Sequence, residues 1–395
     1  MAEHYKRCLK DVVKVIGSGS IVFVSYLTAI GDDRFYANQL MPLLQRTVGV
    51  DAAHLLMVRL IGLGLVPGIR YQDPVSLEVK VMGHRFQNPL GLVTDFSRHS
   101  AAIDGLYRLG FGFVEVGAAD TQTVSTVQRA VSRYKPSSFV CTAVQERLKA
   151  RETFQSKLTT AGQPMGINLG QSDHSQDPVA EVTEGVQALG PLADYLVVNV
   201  SRPGSPDSRV QMGKGELRHL LDVVLRERDT LPCERRPPVL VRIASDLPTQ
   251  DKQDVADVIT ELGLDGLVVS SSAISRPSLD SEQRMLGVTS GQTTKELSSH
   301  TVREMYSLTE GKVPIIGAGG VASGRDALDM IRAGASLVQL YTAFTYQGPP
   351  VAMRIKRELL QLLKEQGFKC ISEAVGADVK TGGGQLQPQP RWAKT

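Results

Sequence analysis

The sequence predicts an α/β fold: a (β/α)8 barrel of the TIM type, preceded by an N-terminal membrane anchor and a two-helix extension. Three observations carry the barrel. Eight short apolar runs recur along the chain, at residues 89–93, 113–117, 165–169, 195–200, 238–243, 266–270, 314–318 and 336–341. Each is continuous rather than alternating, as suits a strand buried on both faces of a parallel sheet. Helical patterns separate them, at 101–109, 142–157, 179–189, 216–228, 250–262, 301–309 and 325–333, and a last one follows at 351–366. Eight strands alternating with helices argue for a closed barrel over an open doubly wound sheet. Finally, Gly319 and Gly320 follow the seventh run, where this fold keeps a phosphate site and where bare N–H groups can cradle an anion. The plainer reading of the pair is a tight turn between packed elements.

Taken from the start of the chain, residues 1–14 carry Lys6, Arg7, Lys10 and Lys14, and an apolar run follows at 15–30. That run is shorter than the roughly 20 residues that span a bilayer comfortably. No small-x-small cleavage site precedes Gly31, so a targeting segment fused to a single anchor over 1–31 is preferred to a secretory signal. Residues 32–68 form a separate small unit with Phe35, Leu40, Leu43 and Leu44, then Leu55, Val58, Leu60 and Ile61, at helical spacing. Such helices pack on a barrel or lie on a bilayer surface. Residues 76–86 alternate and predict a hairpin. The barrel spans 69–379, and the polar, Gly-, Pro- and Gln-rich tail 380–395 is expected to be disordered. A formal charge of +3, without basic runs interleaved with aromatics, gives no reason to expect nucleic acid. Cys8, Cys141, Cys233 and Cys370 are too far apart for a metal-ligand spacing or a secretory disulfide framework.

Active sites of this fold lie at the C-terminal ends of the strands. There the sequence offers Thr94, Gly117, Asn168, Asn199, Arg242, Ser270, the Gly319–Gly320 pair, and Tyr341 with Thr342. An amide at a buried strand end must satisfy two donors and an acceptor. Two such amides, one cation and a phosphate cradle suit a flat heterocycle carrying a phosphate, and FMN fits that description. The alternative is that the asparagines cap the loops that follow them.

Longer blocks then point to a family. GDDRFYANQLMP (31–42), GLYRLGFGFVEVG (105–117), LGPLADYLVVNVS (189–201), ELGLDGLVV (261–269) and the segment from 314 through Gly348-Pro349-Pro350 closely resemble the membrane-bound, quinone-linked class 2 dihydroorotate dehydrogenases. The resemblance runs from the N-terminal anchor to about Gly376. It implies a flavoenzyme of pyrimidine synthesis at the mitochondrial inner membrane, in which FMN takes two electrons from dihydroorotate and passes them to ubiquinone. Its FMN framework corresponds to Gly117, Asn168, Asn199, Gly291, Gly319, Gly320, Tyr341 and Thr342, with Thr94 and Ser270 beside them. His54 matches the family's tunnel histidine, and Arg129 is the candidate for its tunnel arginine.

Several positions depart from the family pattern. The lysine near the flavin is Arg242, a larger and forked cation. Asp95 stands where the family has a glycine. The lysine that binds orotate is Arg98, and the Asn-Thr pair that holds the pyrimidine is Ser271-Ser272. The loop after the second strand is shortened to a remnant containing Ser132, Arg133 and Tyr134. The class 2 serine base is replaced by Arg202, which stays protonated and is no ordinary general base. Ser205, on the same loop, is the available substitute. Three readings therefore stand: a working dehydrogenase with altered site residues, a catalytically impaired FMN-binding scaffold, or an FMN oxidoreductase with a different, acidic substrate suited to Arg98 and Arg202.

Overall fold

The computed structural model describes residues 22–28, 30–66, 68, 72–95, 102–117, 137–170, 177–200, 212–232, 236–270 and 288–380. A hairpin, β1 (Val79–Val81) and β2 (His84–Phe86), turns through Met82 and Gly83, both at positive φ. Two consecutive positive-φ residues are what a tight two-residue hairpin requires. Then come the eight barrel strands: β3 (Leu90–Asp95), β4 (Phe113–Gly117), β5 (Met165–Leu169), β6 (Tyr195–Asn199), β7 (Val239–Ala244), β8 (Gly266–Ser270), β9 (Ile315–Ala318) and β10 (Leu337–Leu340). All pair parallel, and β10 returns to β3 with Val338 opposite Leu90, which closes the barrel. The apolar runs thus mark the strands to within two residues, because only doubly covered strands need such continuous apolarity.

The barrel interior is filled by side chains. A Cβ at Gly91 would stand 2.3 Å from the Phe113 ring, and one at Gly166 would stand 2.2 Å from the Tyr195 ring. These two glycines are the space into which two aromatic rings fit.

The helices are α1 (Met41–Val48) and α2 (Val50–Gly62), then α3 (Ile103–Arg108), α4 (Ser137–Thr160), α5 (Pro178–Leu189), α6 (Lys214–Asp229), α7 (Thr249–Leu262), α8 (Val288–Leu308), α9 (Gly324–Ala333), α10 (Thr342–Gln347) and α11 (Val351–Glu365). Their starts follow from capping chemistry. The Asp177 carboxylate accepts from Val179 N and Ala180 N at the head of α5, and Ser323 and Asp326 close a reciprocal box at the head of α9. Helix α8 begins 13 residues before the apolar pattern at 301–309 indicates. Its first half is rich in Ser, Thr and Gly, which hide helical periodicity and lower propensity.

The two-helix unit packs on the barrel. Met41, Ala53, Met57, Val58 and Ile61 are buried, and Gln45 donates to the Thr345 carbonyl of α10 at 3.0 Å. Away from the barrel, Leu43 of α1 is 61% exposed and Leu63, just past the end of α2, is 73% exposed. The anchor expected at 1–31 lies mostly outside the described residues, of which 22–28 and 30 are helical. Among the described residues no helix is long and apolar enough to cross a membrane. The expected tail also lies outside them, apart from Lys380.

Candidate active site at the C-terminal end of the barrel

The strand ends bring the predicted residues to one rim. Thr94, one residue before the end of β3, and Gly117, at the end of β4, lie on adjacent strands, with Thr94 opposite Val116 and Asp95 opposite Gly117. Asn168 follows on β5, opposite Val197 of β6. Asn199 stands directly opposite Arg242 on β7. Ser270 ends β8, and its hydroxyl donates to the Ile243 carbonyl at 3.4 Å. After β9, Gly319 and Gly320 both take positive φ, +109° and +71°. Tyr341 and Thr342 follow the neighbouring strand β10 and open α10.

Below the rim, inside the barrel, lies a polar cluster that the strand-end reading missed. Glu115, in the middle of β4, has no exposed side-chain surface. One oxygen accepts from Arg242 Nη2 and from Asn168 Nδ2 at 2.9 Å. The other accepts from Gln339 Nε2 of β10 at 2.5 Å. Gln339 Oε1 in turn accepts from Arg242 Nη2 at 3.3 Å. Four strands thus meet at one carboxylate. The signal was present in the sequence: a glutamate in FVEVG and a glutamine in LVQL interrupt strands buried on both faces. A polar group there must find a partner or forfeit its hydration.

Isolated, a buried carboxylate is costly, and a buried guanidinium likewise; together, with further hydrogen bonds to the remaining lone pairs, they are tolerable. Among the described residues, the buried polar atoms without a hydrogen-bond partner include Arg242 Nε and the Tyr195 hydroxyl. Burial first, and the Glu115 charge next, push the Tyr195 phenol well above its ordinary range, so it stays protonated.

Gly320 has a structural requirement of its own. A Cβ there would stand 2.5 Å from Cα and Cβ of Lys295 on α8. Lys295 holds Asp326 at 2.7 Å and Asp329 at 2.9 Å on α9, which fixes the loop between β9 and α9 against α8.

The two-helix unit reaches the same rim. His54 Nδ1 lies 3.1 Å from the Thr345 hydroxyl, and its ring is 6.1 Å from those of Tyr341 and Phe344. Gly291 lies in α8. Arg98, Arg129, Ser132, Arg133, Tyr134, Arg202, Ser205, Ser271 and Ser272 lie outside the described residues.

The residues present fit a flavin mononucleotide. A buried Nε–H without an acceptor, two strand-end amides and a positive-φ glycine pair beside Tyr341-Thr342 supply donors for a ring and for a phosphate.

Over most of its length the chain is similar to known proteins. The sequence model of the family described as "Dihydroorotate dehydrogenase" matches residues 76–363. The mitochondrial quinone dihydroorotate dehydrogenase of Mus musculus is 51% identical, over 94% of this chain and 98% of its own length. The mitochondrial quinone enzyme of Oryza sativa subsp. japonica is 39% identical, over 88% of this chain and 81% of its own length. Among solved structures, the ligand-free dihydroorotate dehydrogenase of Eimeria tenella superposes with a TM-score of 0.72 at 32% identity, over 83% of this chain and 99% of that one.

Proposed function

The chain belongs to the dihydroorotate dehydrogenase family, and from that membership we propose that it is a quinone-linked flavoenzyme of pyrimidine synthesis that oxidises dihydroorotate to orotate. The observation that carries the proposal is the cationic and amide cluster at the barrel's C-terminal end, Arg242 and Asn168 on Glu115, beside the glycine pair at 319–320. FMN would supply the two-electron carrier between dihydroorotate and ubiquinone. Asn168, Asn199 and Arg242, with Thr94, Gly117 and Ser270 beside them, would hold its ring system. Gly319, Gly320, Tyr341 and Thr342 would hold its phosphate. His54, within hydrogen-bond distance of the Thr345 hydroxyl and tilted against the Tyr341 ring, supports a quinone site between the two-helix unit and the barrel. Residues 1–31 would anchor the protein in the mitochondrial inner membrane, 32–68 would form the quinone unit, and 69–379 the catalytic barrel.

A second reading has a specific observation behind it. Arg202 stands where the resemblance puts the serine base, and an arginine cannot take the proton that must leave with the hydride. Under that reading FMN binds and dihydroorotate is not turned over. One experiment separates the two. Purified protein should be yellow, and anaerobic dihydroorotate should bleach the flavin's visible absorbance. A yellow protein that dihydroorotate leaves unbleached supports the second reading. A colourless protein that takes up no added FMN defeats both. On the quinone side, H54A should raise the KM for ubiquinone by up to about tenfold, the worth of a hydrogen bond and its packing. Bleaching by dihydroorotate should be unchanged in that variant; equal loss in both half-reactions would remove His54 from the quinone site.

A further inference from the structure

We propose that Glu115 is a positioning residue: its carboxylate sets the pose and the net charge of Arg242 and Asn168 at the flavin site. The inference rests on the flavoenzyme reading above and assigns a role to a residue that the strand-end logic passes over. Glu115 sits at a middle position of β4, fully buried, and is bonded to side chains of β5, β7 and β10. Its arrangement is specific in three ways. Both oxygens are used, one by Arg242 and Asn168 and the other by Gln339. Gln339 also accepts from the same Arg242 nitrogen, so two acceptors hold that one end of the guanidinium. Arg242 Nε, by contrast, has no acceptor although it is buried. One edge of the fork is therefore fixed by protein while another donor is left for a ligand, as a preorganised cation requires.

The departure from the family pattern gives the role its content. A lysine is a compact point charge that needs no planar partner, whereas a guanidinium donates in a fixed fork whose orientation matters. At position 242 the fork is oriented by Glu115 and Gln339 together. The carboxylate also neutralises it, so the site presents directed donors without a net positive charge. An uncompensated cation would favour the more negative reduced flavin and raise the midpoint potential.

The test uses the full-length holoprotein and its apoprotein, with FMN as the probe. E115Q should weaken FMN binding about tenfold, the cost of a misplaced charge-assisted hydrogen bond, read by quenching of FMN fluorescence during titration. Its two-electron midpoint should rise by about 30 mV, a tenfold change in the oxidised-to-reduced ratio. E115D keeps the charge and shortens the reach, so it should lose affinity with little change in midpoint. E115Q should cost clearly less FMN affinity in the R242M background than in the wild type, because the part of the effect of Glu115 that passes through Arg242 is then absent and only its hold on Asn168 remains. Wild-type affinity and midpoint in E115Q, or an equal loss of affinity in both backgrounds, would overturn the proposal while leaving the flavoenzyme reading intact. If E115Q does not fold, E115D and the R242M pair decide alone. Failure of the wild-type protein to bind FMN overturns both.

Discussion

Gly320 and Gly83 have nearly the same backbone angle, φ +71° and +70°, and entirely different surroundings. A Cβ at 320 meets the backbone of Lys295 at 2.5 Å, while one at 83 meets nothing within 4 Å. Substitution at 83 therefore adds only the cost of left-handed backbone, about 1 kcal/mol for alanine. At 320 the clash is added, and neither α8 nor the β9–α9 loop can yield without disturbing the Lys295 bridges to Asp326 and Asp329. G320A should destabilise the protein by about 2–4 kcal/mol. Urea unfolding with an unchanged m-value is the measurement, and a G320A cost no larger than that of G83A would show that the loop gives way. The comparison bears on how the glycine pair was read from the sequence. Its location after the seventh strand was legible, because the fold keeps phosphate sites there. Its packing reason was not, because Lys295 lies 25 residues earlier in the chain and the contact exists only once α8 is laid against the loop.

Elements were legible where one physical constraint dominates them. Strands β4, β5 and β8 match their apolar runs residue for residue, since a doubly covered strand tolerates little else. The same rule should have flagged Glu115 and Gln339, yet their partnership depends on which strands become neighbours. Barrel closure, with β10 beside β3, brings Gln339 to Glu115 across 224 residues of chain. A second buried pair links elements at the opposite end of the sequence. Lys356 of α11 holds Asp73 with both oxygens within 3.0 Å, and Asp73 also accepts from Asn88 at 2.6 Å. Helix α11 is thereby tied to the segment that leads into β1. Burial lowers the Lys356 ammonium, and the Asp73 charge opposes that shift. The unfolded chain therefore holds this proton to higher pH than the folded one, so this group's contribution to stability rises with pH from the lowered value towards 10.5. K356M, which strands the carboxylate, should cost about 3–5 kcal/mol, and D73L/K356M should recover most of it. A double-mutant cycle by denaturant unfolding checks this; additive losses would mean that the two residues do not act as a pair.

Across the whole molecule, the two-helix unit divides its apolar residues between two surroundings. Its inner residues, Met57, Val58 and Ile61 among them, are covered by the barrel; Leu43, Val48, Leu56, Leu63 and Leu65 are not. The sequence left packing on the barrel and lying on a bilayer as alternatives, and the geometry makes them compatible because each uses a different side of the same helices. His54 stands where the unit touches α10, one contact from Tyr341 and the glycine-pair side of the rim. Under the proposed function, a lipid-soluble acceptor beside His54 would lie next to the rim proposed to hold the flavin. If the exposed leucines meet a membrane, protein truncated before residue 32 should still float with phospholipid vesicles. L43E/L63E should then weaken that association at least tenfold, since each fully buried leucine contributes roughly 2 kcal/mol. Both positions are open to solvent, so the thermal midpoint of the barrel should stay within about 2 °C of the parent. Loss of flotation on truncation alone would leave residues 1–31 as the whole of the membrane contact, and unchanged flotation in the truncated double variant would take Leu43 and Leu63 out of it.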